Sequence, residues 1–205
     1  MDFYTNPLSP NCRKVDAVAR QLGIELTRRH IDVAKGANRT AEFLALNPNG
    51  KVPVLVDGDV TLWESNAIQC YVASKTENDM WPKSNLRYDI MKWQAWELAH
   101  FGAAVRGMTF QRVVKPLVGL GQPDESRWAE HASDFRRYAA VVNNHLEGRH
   151  FLVNDQLTLA DFCVASSLTH AAAAKVPLDE FRHLKRWFEA MDEQPGWRAS
   201  SPPPM

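Results

Sequence analysis

Residues 47–69 read Asn47-Pro48-Asn49-Gly50-Lys51-Val52-Pro53-Val54-Leu55-Val56-Asp57-Gly58-Asp59-Val60-Thr61-Leu62-Trp63-Glu64-Ser65-Asn66-Ala67-Ile68-Gln69. Two short apolar runs flank Asp57-Gly58, a turn dipeptide that joins antiparallel strands. Residues 53–56 and 60–63 are therefore expected as a hairpin, and residues 64–75 as the helix that follows it. Working back toward the N-terminus, residues 25–32 alternate as a strand does, and residues 40–46 form a short helix. Residues 10–22 carry Val15, Val18, Ala19 and Leu22 at helical spacing and end at Gly23. Residues 1–5 are strand-like. The order βαβ, α, ββα defines a small α/β domain whose helices pack on a mixed sheet.

Working forward, the composition changes after Thr76. We place the first domain at residues 1–76, a polar linker containing Pro82 at 77–85, and an all-α domain at 86–205. A long helix is expected from Leu86 to about Lys115, ending at Pro116. A second should cover residues 124–147. A third opens at Thr158-Leu159-Ala160-Asp161, where Thr158 caps the helix and Asp161 reaches back to the cap amide. The last, over 181–193, is expected to stop at Gln194-Pro195-Gly196, with a frayed tail at 200–205.

The bulk chemistry removes several function classes. Lys and Arg number 24 against 24 Asp and Glu, so no basic face for nucleic acid is expected. No apolar run approaches the ~20 residues of a membrane span, and Met1-Asp2-Phe3-Tyr4 does not begin a signal peptide. Three scattered cysteines, Cys12, Cys70 and Cys163, suit reduced thiols in the cytoplasm. The seven histidines show no metal-ligand spacing.

Four local devices offer a ligand something, and each also has a purely structural reading. Val52-Pro53 is where a cis bond is cheap. Such a bond would turn the Val52 N–H and C=O outward, free to pair with an extended peptide; alternatively Pro53 merely begins an edge strand. Glu64 and Ser65 stand at a helix start whose first amides attract an anion. Together they could grip an α-amino-acid head, or simply cap the helix. Lys51, Arg39 and Asn38, on the flanking loops, could hold a second carboxylate or stay solvated. Ser9, before Pro10-Asn11-Cys12-Arg13-Lys14, is placed as N-cap with Pro10 in the first helical position. Its hydroxyl could also donate to an anion at the helix end. For a thiolate, lowering a pKa of ~8.5 to ~6.5 requires about 2.7 kcal/mol. A hydrogen bond to a charged group supplies roughly 1.5–3 kcal/mol, and the helix dipole about 0.3–1 kcal/mol. No general base is then needed. An amino-acid head, a peptide middle, a terminal carboxylate and a thiol together describe glutathione.

At this point the chain resembles the cytosolic glutathione S-transferases along nearly its whole length. Residues 47–55 and 57–68 match that family's glutathione-binding segment, and Thr158-Leu159-Ala160-Asp161-Phe162 resembles its C-terminal capping box. The resemblance implies a thioredoxin-like first domain, a helical second domain, a cytoplasmic homodimer, a detoxifying role and glutathione as co-substrate, with no prosthetic group. Glu97-Leu98-Ala99-His100-Phe101 through Val114-Lys115-Pro116 looks most like the phi class. By position, Ser9 corresponds to the catalytic serine of phi- and theta-type enzymes. Val52, before Pro53, would pair with the cysteinyl backbone, and Glu64 and Ser65 would hold the γ-glutamyl head. Asn38 and Arg39 stand where the phi pattern has His and Lys near the glycyl carboxylate, and Lys51 where it often has Gln. The 9–14 turn also resembles that of nu-like bacterial enzymes, which reduce disulfides with glutathione; there Asn11 would be the polar group beside the sulfur. Leu8, Phe101, Val105, Met108 and Arg112 could line an electrophile site, although the same stripe serves equally as helix core. Cys12 is expected to pack, and Cys70 and Cys163 to lie in the core.

The expected activity is thus addition of the glutathione thiolate to a hydrophobic electrophile, or reduction of a peroxide. The alternatives are glutathione-dependent disulfide reduction, and a binding protein that has kept the fold without the chemistry.

Overall fold

The computed structural model describes residues 1–203; the expected fraying of the last two residues lies outside them. It divides into two units, Met1–Trp81 with the segment from Gln194 on, and Pro82–Glu193.

The first unit runs β1 (Asp2–Thr5), α1 (Pro10–Gln21), β2 (Thr27–His30), α2 (Ala41–Leu46), β3 (Val54–Asp57), β4 (Val60–Trp63) and α3 (Ser65–Ala73). The sheet order is β2-β1-β3-β4. β1 is parallel to β2 and antiparallel to β3, and β3 pairs antiparallel with β4. The mixed sheet follows from the connections: α1 carries the chain over to a parallel neighbour, whereas the two-residue turn at Gly58-Asp59 forces a hairpin. Period-2 alternation puts Phe3 and Leu55 on one face, where they meet Val15, Ala19, Ile68 and Val72 from α1 and α3. These side chains are fully buried, which fixes the start of each helix against the sheet.

The second unit is helical. Residues 86–117 form one continuous helical run: α4 (Leu86–Trp96), α5 (Gly102–Thr109) and the last turn α6 (Lys115–Leu117), joined by π-helical turns at Glu97–Phe101 and Phe110–Val114. It passes Pro116 by one residue and ends there, since Pro116 has no N–H to continue the ladder. The first π turn surrounds a buried carboxylate. Glu97 accepts from the Ser167 hydroxyl, and a Cβ at Gly102 would lie 1.9 Å from its Oε1. Then come α7 (Glu125–His145), α8 (Leu159–Ser167), the short α9 (Ala171–Ala174) and α10 (Arg182–Ala190). Thr158 and Asp161 make the expected reciprocal cap on α8.

The C-terminal segment differs from expectation. Gln194-Pro195-Gly196 ends the helical path that α10 begins, at Glu193 as expected, but it also starts a new helix, α11 (Pro195–Ala199), with Pro195 in its first turn. This helix packs on α1 in the first unit. The Gly196 N–H donates to Gln21 Oε1 (2.9 Å), and the Arg13 guanidinium lies 3.6 Å from the Trp197 ring centroid. Ser201 accepts from Arg13, so the tail is tied down at least that far.

Candidate active site

The site devices of the first unit gather at the N-terminal ends of α1 and α3 and on the loop that enters β3. Ser9 is the N-cap of α1 and accepts from the Cys12 N–H at 3.4 Å. That bond uses an oxygen lone pair and leaves the hydroxyl proton to donate elsewhere. Two residues on, Asn11 Oδ1 accepts from the Ser65 hydroxyl at 3.2 Å, joining the first turn of α1 to the first turn of α3. One turn deeper, Lys14 Nζ donates to Asn66 Oδ1 at 3.0 Å. Lys14 is 1% exposed, so this pair is a buried cross-brace behind the two helix starts. Neither Lys14 nor Asn66 stood out in the sequence, because an i, i+3 lysine on a helix normally reads as solvated.

Glu64 precedes α3 at φ 70°, ψ 110°, and its side chain makes no capping bond. A non-glycine residue at positive φ is held there by its surroundings. The exposed Glu64 carboxylate therefore remains available, while Ser65 stands buried at the helix start.

The loop before β3 is held from two sides. Asn38 is buried and donates from Nδ2 to the Gly50 carbonyl (2.7 Å), and Asn47 donates to the Lys51 carbonyl (2.7 Å). Gly50 sits at φ 61°, with the space a Cβ would occupy 2.7 Å from Arg39 Nη1. Only glycine combines that backbone with that neighbour. Asn38 thus spends its amide on the loop, whereas the Arg39 and Lys51 side chains are exposed beside it. Asn47 escaped notice as a functional residue, since Asn-Pro-Asn-Gly reads first as a turn. The Val52–Pro53 bond is cis. Among the described residues nothing pairs with the Val52 N–H or C=O.

Cys12 lies in the interior face of α1. Burial pushes its thiol up from the ordinary range, against the opposing pull of the Asn6 amide and the Ser9 hydroxyl. A thiol held that way is a packing group. Cys163 is buried and Cys70 half-buried.

The helical unit's candidates are spread out differently. Phe101 is fully buried, with ring centroids 5.6 Å from Trp96 and 5.5 Å from Phe135. Val105 and Met108 are fully buried as well. Arg112 lies over the Trp128 ring (4.6 Å) and pairs with Glu125. Leu8, in the first unit, is half-buried beside Ser9. Among the described residues no group of three or more His, Cys, Asp or Glu could hold a metal ion, and no helix is long and apolar enough to cross a membrane.

A thioredoxin-like sheet with a serine-capped α1, a cis-proline loop and an acid–serine helix start, followed by a helical unit, defines the glutathione transferase architecture. Residues 1–74 match the glutathione S-transferase N-terminal domain, and residues 102–195 match its C-terminal domain. The chain belongs to the glutathione S-transferase family and is a transferase that uses glutathione. It is 34% identical over 204 residues to glutathione S-transferase 3 of Zea mays, covering 97% of this chain and 91% of that protein. Its structure is similar to that of glutathione transferase F7 from Populus trichocarpa, with a TM-score of 0.90 at 25% identity over 97% of this chain and 96% of that one. It is also similar to a glutathione S-transferase-I bound with lactoylglutathione, with a TM-score of 0.89 at 26% identity over 98% and 97% of the two chains.

Proposed function

We propose that the Ser9 hydroxyl donates to the sulfur of bound glutathione and holds it as a thiolate, which then attacks a hydrophobic electrophile. Val52 pairs with the cysteinyl backbone, Glu64 and Ser65 grip the γ-glutamyl head, and Arg39 and Lys51 face the glycyl carboxylate. Asn38 acts one step back by holding the Gly50 carbonyl. The observation that carries this reading is the Ser65–Asn11 bond. It ties the start of the helix bearing the head-group residues to the start of the helix bearing Ser9, so that one small peptide spans both. Catalysis is then lowered thiol pKa plus positioning. Leu8, next to Ser9, is the first unit's apolar contact for the electrophile.

The finer assignments belong to the same reading: a phi-type enzyme, cytoplasmic, acting as a homodimer. Sedimentation equilibrium is expected to give twice the chain mass of 23.2 kDa; a single-chain mass would refute the dimer.

A second reading rests on Asn11. Its Oδ1 is taken by Ser65 while its Nδ2 protons have no partner among the described residues. An amide donor beside the sulfur suits glutathione-dependent disulfide reduction. Comparing Ser9→Ala with Asn11→Ala separates the two. Loss of chloronitrobenzene conjugation in the serine variant alone supports the transferase reading. Loss of disulfide reduction in the asparagine variant, with Ser9→Ala unaffected, supports the other.

A further inference from the structure

The sheet of the first unit has two edge strands, β2 and β4. β2 reads Thr27-Arg28-Arg29-His30, and all four residues are exposed. Its inner side is spent on β1: the Thr27 N–H donates to the Met1 carbonyl and the Ile31 N–H to the Thr5 carbonyl, both at 2.9 Å. Backbone groups alternate sides along a strand, so the N–H and C=O of Arg28 and His30 point outward. Among the described residues none of these outward groups has a partner. Two residues with both backbone groups free, at an exposed edge, are a template for one more strand.

The side chains decide which strand. β2 carries no acidic residue. Like charges directly opposite each other destabilise a strand pair and opposite charges stabilise it, so a second copy of β2 is disfavoured and an acidic strand is favoured. Arg28 shares the α1 side of the sheet with its register partner Phe3, and Arg29 lies on the other side. Arg28 is already committed: its Nε and Nη2 go to Asp16 and its Nη1 to the Leu26 carbonyl. Arg29 is not. Only its Nε is bonded, to Asp2 Oδ1 at 3.1 Å, and its two Nη groups have no partner among the described residues. They offer a carboxylate a parallel pair of N–H donors without displacing Asp2. On the α1 side, the Arg28 and His30 side chains border a pocket of about 310 Å³ that also reaches Pro7, Cys12 and Ala199, room for an apolar side chain. Successive side chains of an added strand fall alternately on these two sides.

We propose that the β2 edge binds an extended acidic peptide as an added strand, independently of glutathione. Its carboxylates lie on the Arg29 side and its apolar side chains on the α1 side. The test is calorimetric titration of the whole protein, saturated with S-methylglutathione, with the end-capped peptide Glu-Val-Glu-Val-Glu-Val-Glu. One peptide is expected to bind per chain, and the peptide with Lys for every Glu about tenfold more weakly or worse. Methylating the peptide's backbone nitrogens should abolish binding at one alternating set, valines or glutamates, and spare the other, because only one set faces β2. Charge attraction without a ladder would show no such alternation. Arg29→Glu should weaken binding about tenfold, and so should His30→Pro, which deletes an outward N–H and leaves the β1 ladder intact. Conjugating activity should be unchanged in both. Absence of saturable binding would overturn the proposal. So would equal affinity for the Lys peptide, equal effects of methylation at the two sets, undiminished binding by Arg29→Glu, or displacement of the peptide by glutathione.

Discussion

At Ser9 a single hydroxyl serves two ends. It accepts from the Cys12 amide and keeps a proton to donate, so under the proposed function capping and thiol activation would use the same atom from opposite sides. Ser9→Ala removes both. Conjugation efficiency is expected to fall about ten- to a hundredfold, the worth of a hydrogen bond to a charged group, while glutathione affinity changes little. The lost cap should cost about 1 kcal/mol of stability. Steady-state kinetics with calorimetry checks the first pair, and urea unfolding the second. Gly50 offers an independent test of the loop. A methyl there meets Arg39 Nη1 and the Asn38 carbonyl, and the backbone stands at φ 61°. Gly50→Ala should destabilise the chain by about 1–2 kcal/mol and weaken glutathione binding, read by calorimetry, with turnover of bound substrate nearly unchanged. Residue types at these positions were legible from the chain alone. Their partners were not: Asn38 to Gly50 and Asn11 to Ser65 join residues 12 and 54 positions apart, and no local spacing announces a bond of that kind.

At the scale of elements, α11 and α8 show why some boundaries were readable and others were not. Thr158 to Asp161 is a local cap, complete within four residues, and it formed as expected. Pro195-Gly196 read as a stop because both residues disfavour helix interiors, and the preceding helical path does stop at Glu193; the new helix that starts at Pro195 was the unread part. Here proline occupies a first turn and glycine lets two helices touch: a Cβ at Gly196 would lie 2.3 Å from the Ala17 carbonyl and 2.6 Å from the Gln21 amide. Gly196→Ala is expected to unseat α11 from α1 at a cost of about 1–3 kcal/mol, seen as a lower denaturant midpoint and faster amide exchange in α1. The π turns were equally unreadable, since a buried Glu97 in a helical stripe signals nothing until Ser167 supplies its partner. Asp161 carries more than its cap. It also accepts from the Leu152 amide (2.9 Å) and the Trp187 indole (3.0 Å). Asp161→Ala leaves buried donors unpaired, and about 3–5 kcal/mol of stability should be lost by urea unfolding.

For the whole molecule, that same carboxyl sets a pH dependence. Burial pushes Asp161 up to about 6, even though the Leu152 and Thr158 amides pull it down. Between its ordinary value of 3.8 and about 6 the folded chain then holds more protons than the unfolded one. Its contribution to stability must fall as pH rises through that window and stay low above it. Lowering the pH from 7 to 5 should therefore raise the unfolding free energy of the native chain relative to Asp161→Asn by about 1 kcal/mol, measured from paired urea midpoints; the opposite sign would refute the raised value. The alternation of strands and helices, the hairpin around Gly58 and the Thr158 cap followed from sequence alone, because periodicity, turn chemistry and capping act over a few neighbouring residues. The packing of α11 on α1, the cross-braces from α1 to α3, the burial of Phe101 and Met108, and the pairing of Asp16 on α1 with Arg28 on β2 required the folded chain. Each depends on backbone segments that meet only after the core has closed, and the free energy of such contacts is carried by distance in space rather than by order along the chain.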